Sequence, residues 1–157
     1  MNKIQGSLIK IVGSCFFIGH LPLIPGTFGS ILGAALVYVL LNQSVLYAAL
    51  LGALMVLGFS IGSAAERLYG SKDPRFVVID EVCGMMISCA LLPFINLKLL
   101  VLGFFIFRLM DTLKPFPADR LQARRGGAGI MLDDVVAGLY TNVILQIVAR
   151  LALLTIS

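Results

Sequence analysis

Between Val45 and Ala65 the chain runs for 21 residues without a charged side chain. As a helix rising 1.5 Å per residue, that run is about 31 Å long, the thickness of a bilayer's hydrocarbon core. Backbone groups in lipid must be bonded within the protein, and long unbroken apolar runs argue helices, not a barrel. Apolar residues make up 59% of the 157 and charged residues 13%, with a mean hydropathy of +1.01. A soluble domain carries about a quarter charged residues. The expected fold class is therefore all-α: a polytopic integral membrane helical bundle, one domain over residues 1–157, with about five spans or partly re-entrant helices.

Turn signals divide the chain. Ile4 to Gly19 mixes apolar residues with Gln5 and Lys10 and reads as an interfacial stretch or a short helix. Pro22, Pro25, Gly26 and Gly29 then oppose regular helix. The expected spans are about Phe28–Leu41, Val45–Ala65, Arg75–Leu92, Asn96–Leu113 and Asp133–Leu154. Pro74 suits a helix start, which puts Asp80 and Glu81 in a second turn. Gly33, Gly52, Gly58, Gly62 and Gly103 read as packing positions between helices.

Arg67, Lys72, Arg75, Lys114, Arg120, Arg124 and Arg125 fall in two loops that five spans place on one side with Lys3 and Lys10. The opposite turns contribute only Lys98. The basic side is expected to be cytoplasmic.

Five of the eight acidic residues lie in three motifs beside apolar runs: Asp80-Glu81, Asp111 and Asp133-Asp134. The fold-back that gathers the basic loops gathers these motifs too. Carboxylates near hydrocarbon are costly unless they meet a cation, a partner or water. Two readings compete at each motif. Asp133 or Asp134 alone serves as a plain helix cap, and Asp80 or Asp111 as half of a buried salt bridge. Together they suit a divalent-metal centre at one bilayer face. Oxygen ligands without a His or Cys group favour Mg²⁺ over structural zinc. Neighbouring helix positions diverge by about 100°, so one of Asp80 and Glu81 binds metal while the other orients a basic residue or a second ion. Asp111 brings Arg108 and Lys114 as phosphate partners, a combination suited to phosphoryl transfer.

Other features exclude other classes. The net charge of +4 invites nucleic acid, but the basic residues are sparse and no aromatic-basic face accompanies them. Positive charge beside apolar spans suits a bilayer surface and anionic lipid. Cys15, Cys83 and Cys89 lack paired spacing and read as buried, inert thiols, and His20, the only histidine, as a hydrogen-bonded or interfacial residue sooner than a catalytic one. The N-terminus reads as mature protein, not a cleaved leader. Gly126-Gly-Ala-Gly129 lacks a Walker ending and reads either as a plain loop or as one that offers N–H groups to phosphate.

Four ordered motifs carry a resemblance: Pro25-Gly-Thr-Phe-Gly-Ser30, Val78-Ile-Asp-Glu-Val-Cys-Gly84, Phe107-Arg-Leu-Met-Asp-Thr-Leu-Lys-Pro-Phe-Pro117 and Gly126-Gly-Ala-Gly-Ile-Met-Leu-Asp-Asp-Val-Val-Ala-Gly138. In these the chain resembles the bacterial phosphatidylglycerophosphatase A family, from about residue 12 to about residue 145. Phe28 and Leu113 depart from the family's usual residues without touching a candidate ligand. The resemblance implies Mg²⁺-dependent hydrolysis of the terminal phosphomonoester of phosphatidylglycerophosphate, in the bacterial inner membrane. It marks Asp80, Glu81, Asp111, Asp133 and Asp134 as the acidic centre, with Arg108, Lys114 and Thr27 in support. The roles expected on this basis are metal ligation by Asp80, Asp111 and Asp134, and positioning of water or a second ion by Glu81 or Asp133. Arg108, Lys114, Arg124 and Arg125 hold phosphate, and water attack is preferred to attack by Thr27 or Ser30. The rivals are a lipid phosphotransferase, a carboxylate-lined transporter and a non-catalytic scaffold. No protein partner is legible.

Overall fold

Helix α4, Ile79–Cys89, is the hub of the molecule: nine of its 11 residues are buried, and it packs chiefly on α7 and α2. The computed structural model describes residues 3–156, and in these every regular element is helical. In chain order they are α1 (Lys3–Gly13), a 3-10 turn (Ile18–His20), α2 (Pro25–Val39), α3 (Ser44–Tyr69), α4, α5 (Leu97–Leu113), α6 (Ala118–Gln122) and α7 (Gly127–Ile156). Two of them, α3 and α7, are long and apolar enough to cross a membrane; α2 is a shorter apolar helix of 15 residues.

The all-α class holds, and several boundaries move. The third expected span, Arg75–Leu92, contracts to α4. The cause lies at its start: the Val78 N–H donates to the Gly13 carbonyl (2.9 Å), which pins the segment to α1 and delays helix until Ile79. Asp80 and Glu81 therefore stand in the first turn, not the second, where the free N–H groups favour negative charge. At the other end Leu91 takes a left-handed φ of 55° before Pro93. The orphan carbonyls there are met by α7, whose Asn142 side chain donates to Ser88 and Ala90 and whose Gln146 donates to Leu91. The last helix begins at Gly127, six residues before the expected Asp133, and continues through Arg150.

Close approach of α4 to α7 depends on two glycines. A Cβ on Gly84 would stand 2.6 Å from the Phe107 ring and 2.9 Å from the Asp134 carbonyl, and one on Gly138 would run into the Gly84 carbonyl. Gly33 likewise lets α2 lie against Val82 and Met85. Gly58, Gly62 and Gly103 are packed as expected, whereas Gly52 meets nothing within 4 Å.

Candidate functional site

Drawing α4 against α7 brings their acidic turns together. One carboxylate oxygen each from Asp80, Glu81 and Asp134 lie within 4.8 Å of one another. Asp80 feels the charges of Glu81 and Asp134, and Asp134 feels that of Asp111 at the end of α5. Asp80 and Glu81 leave neighbouring helix positions, yet a carboxylate oxygen of each reaches the same acidic group. Glu81 also packs against Gly26 on α2, where a Cβ would strike its carboxylate.

Two cations face this group. Arg108 Nη1 donates to Asp111 Oδ2 (2.7 Å) and reaches Ser30 Oγ (3.4 Å), which itself donates to the Gly26 carbonyl (2.9 Å). The Lys114 ammonium donates to Asp133 Oδ2 and stands 3.9 Å from Asp111 Oδ1. Asp133 thus turns to Lys114 while its neighbour Asp134 turns to the acidic group. Lys114 can reach Asp133 because it caps α5 in the left-handed region, φ 45°.

Five carboxylates face two cations, an excess of three formal negative charges if all are ionised. Asp80 Oδ1, Glu81 Oε2 and Asp133 Oδ1 are buried with no hydrogen-bond partner. Buried carboxylate oxygens without donors are costly unless a cation meets them. An all-oxygen donor set of this kind suits a hard divalent ion. Asp80, Glu81 and Asp134 are the residues placed to share it.

Of the other expected residues, Thr27 lies in the first turn of α2, one residue from Gly26, and is half-buried. Arg124 and Arg125 are exposed on the loop before α7 and do not join the acidic group; Arg125 lines a separate cavity with Arg67 and Lys72. The Gly126-Gly127 N–H groups are already taken, by Glu66 and by Ser63 Oγ (2.7 Å), so they are not open to phosphate. His20 stacks on Phe76, and Cys15 is a buried free thiol whose pKa burial, aided by Glu81, pushes up to about 12.

Asp73 is the residue that motif reading passes over. It lies in the loop before α4, and its charge is felt by Asp80 and Asp133. Its own pKa is raised by burial, against the pull of Lys114 and with repulsion from Asp111. The residue as a whole is solvent-exposed, so the shift belongs to a carboxyl turned toward the protein. Burial opposes the charge on Lys114, but its bond to Asp133 and the charges of Asp133, Asp134 and Asp111 outweigh that and raise its pKa. A lone acid before a proline in a basic loop was the only signal that pointed to Asp73.

Every regular element among the described residues is helical, two helices are long and apolar enough to cross a membrane, and buried carboxylates are set against Arg and Lys, which suits a membrane-associated, phosphate-handling enzyme. The family profile of phosphatidylglycerophosphatase A matches residues 11–149, and the chain belongs to that family; it is a phosphatase. It is 33% identical over 140 residues to the phosphatidylglycerophosphatase A of Escherichia coli, covering 86% of this chain and 80% of that one. The Haemophilus influenzae phosphatidylglycerophosphatase A is 32% identical over 126 residues, 76% of each chain. A Bacteroides thetaiotaomicron protein provisionally named a phosphatidylinositol-3-phosphatase is 32% identical over 146 residues, 87% of this chain and 91% of that one. No solved structure matches the chain significantly.

Proposed function

We propose that the protein hydrolyses the terminal phosphomonoester of phosphatidylglycerophosphate, with Mg²⁺, at the cytoplasmic face of a bacterial inner membrane. The observation that carries this is the meeting of three acidic motifs with Arg108 and Lys114 at one end of the bundle. Two relatives named for that activity support the substrate. In this reading α2, α3, α4, α5 and α7 make five membrane segments, with α4 a short one enclosed by the rest. The loops carrying Arg67, Lys72, Arg75, Lys114, Arg120, Arg124 and Arg125 lie at the acidic end, which supports a cytoplasmic orientation.

Asp80, Glu81 and Asp134 hold the metal, with Asp111 beside them. A bound Mg²⁺ supplies positive charge to the phosphoryl oxygens and acidity to water. Arg108 holds a phosphate oxygen, and Ser30 keeps the guanidinium in place. Lys114 adds a second charge, oriented by Asp133. The attacking oxygen comes from water: a new P–O bond forms, the bond to the glycerol oxygen breaks, and the proton that the water gives up ends on that glycerol oxygen. Thr27, half-buried in the first turn of α2, is a supporting residue in this reading, not the nucleophile.

The test is phosphate release from phosphatidylglycerophosphate by purified protein in detergent, with and without Mg²⁺, beside phosphatidylinositol 3-phosphate. Metal-dependent release from the first lipid, without any nucleotide-linked donor, is the expected result and sets aside a phosphotransferase. Preference for the inositol lipid would move the substrate to the one named for the Bacteroides relative. No release from either by folded protein would sink the proposal.

A further inference from the structure

A cavity of about 750 Å³ opens where the last turns of α3 meet the loop before α7. It shares no residue with the acidic centre. Three cations line it: Arg67, Lys72 and Arg125. All three are exposed, and among the described residues none is in an ion pair. The one acid in its wall, Glu66, is committed elsewhere, accepting the Gly126 N–H. Glu66 keeps its charge, so three cations against one acid leave the cavity net positive by two.

Its place adds a second argument. The walls come from the C-terminal end of α3 and the approach to the N-terminus of α7, the two helices long and apolar enough to cross a membrane. A basic pocket between the ends of two such helices sits at headgroup height, where anionic lipid collects. Two guanidinium forks and an ammonium match a phosphate's oxygens, and a zwitterionic lipid would bring its own cation into the same space.

We infer that this cavity is a second phosphate site, separate from the acidic centre, that takes the phosphodiester headgroup of an anionic phospholipid. The inference rests on the membrane reading of α3 and α7 but not on turnover. Ser63 and Glu66 in its wall hold Gly127 and Gly126, so the site braces the start of the helix that carries Asp133 and Asp134.

The experiment counts lipids retained by the purified protein in a neutral detergent, by native mass spectrometry, with phosphatidylglycerol and phosphatidylcholine offered at equal concentration. The wild type should keep phosphatidylglycerol at least ~10-fold better, and Arg67→Gln/Lys72→Gln/Arg125→Gln should lose that preference. Arg67→Lys/Arg125→Lys should retain most of it, and Asp80→Asn/Asp134→Asn all of it. Should the triple variant not fold, Lys72→Gln and Arg125→Gln alone, each at an exposed position, should lower retention by ~3-fold or more. Equal retention by wild type and charge variants overturns the site. Loss of preference in Asp80→Asn/Asp134→Asn would put the lipid in the acidic centre and overturns it as well. A parallel arm adds inorganic phosphate and reads thermal stability. Stabilisation by phosphate that depends on the three cations, with no lipid preference, would make free phosphate the ligand and overturn the lipid assignment. These readouts need no substrate, so failure of the proposed hydrolysis would leave them standing.

Discussion

Lys114, capping α5, donates to the carboxylate of Asp133 on α7 and stands 3.9 Å from Asp111 Oδ1 on its own helix. One ammonium thus ties two helices together beside the acidic group. Asp133 is 5% exposed and Lys114 25%, so the two partners are not equally costly to orphan. Lys114→Met leaves a buried carboxylate unpaired and should cost about 3 kcal/mol, lowered by the exposure of the lysine. Asp133→Asn leaves a cation that can turn to water or Asp111 and should cost less. Thermal unfolding in detergent, with the double variant completing the cycle, checks the asymmetry.

Asp80→Asn and Asp134→Asn should each lower turnover by at least ~100-fold in folded protein, because direct contacts in the reaction centre are worth several kcal/mol. Chelation should abolish activity and added Mg²⁺ restore it. Both variants should unfold no earlier than wild type in the chelator, since each removes charge from an over-negative group. Wild-type-like turnover in either would remove that residue from the metal set.

Arg108 and Ser30 should separate by size of effect. Arg108→Met removes the guanidinium proposed to hold phosphate and frees Asp111, and should cost about 100-fold or more in kcat/KM. Ser30→Ala removes a 3.4 Å contact to that guanidinium and should cost only ~2- to 5-fold. Comparable losses in both would mean that Ser30 takes part directly.

Asp73 gives a pH signature. Its folded-state pKa lies above the ordinary 3.8, so the ionised form is the one that folding disfavours. Its cost is absent below the unfolded pKa and develops as pH rises through the window from 3.8 to the raised value. Asp73→Asn should therefore match wild-type stability in acid and exceed it at neutral pH, measured as melting temperature in chelator. A constant difference across pH would show that burial and the neighbouring charges do not raise this carboxyl's pKa.

Gly84→Ala and Gly138→Ala test the contact that joins the acidic turns. Each added methyl meets backbone or a buried ring, and overpacking of that kind costs about 1–3 kcal/mol. Gly52→Ala points into open space and should be neutral or slightly stabilising, because alanine favours helix. Unfolding in detergent should rank the three accordingly.

The helical class and the acidic motifs were legible because hydropathy and buried charge are local properties of sequence. Thr27, Arg108 and Lys114 came from local motifs too, and the structure sets Arg108 and Lys114 against the acids. The length of α4 was not legible: it depends on the Val78 bond to Gly13, a contact across 65 positions that no local pattern carries. Arg124 and Arg125 come from the basic loop just before the motif that holds Asp133, and that loop leaves them exposed. Asp73 stayed hidden because its importance comes only from where the loop folds back.

The enclosure of α4 has a consequence for how such a protein meets bilayers of different thickness. At 11 residues it is about 16 Å long and nine of its residues are buried in the protein, so in the proposed membrane reading it would be too short to register that thickness and screened from lipid. In that reading, tilting to suit a thicker or thinner bilayer would fall on α3 and α7. Adaptation to host lipid can then accumulate on the outer faces of those helices while the inner carboxylates keep their spacing.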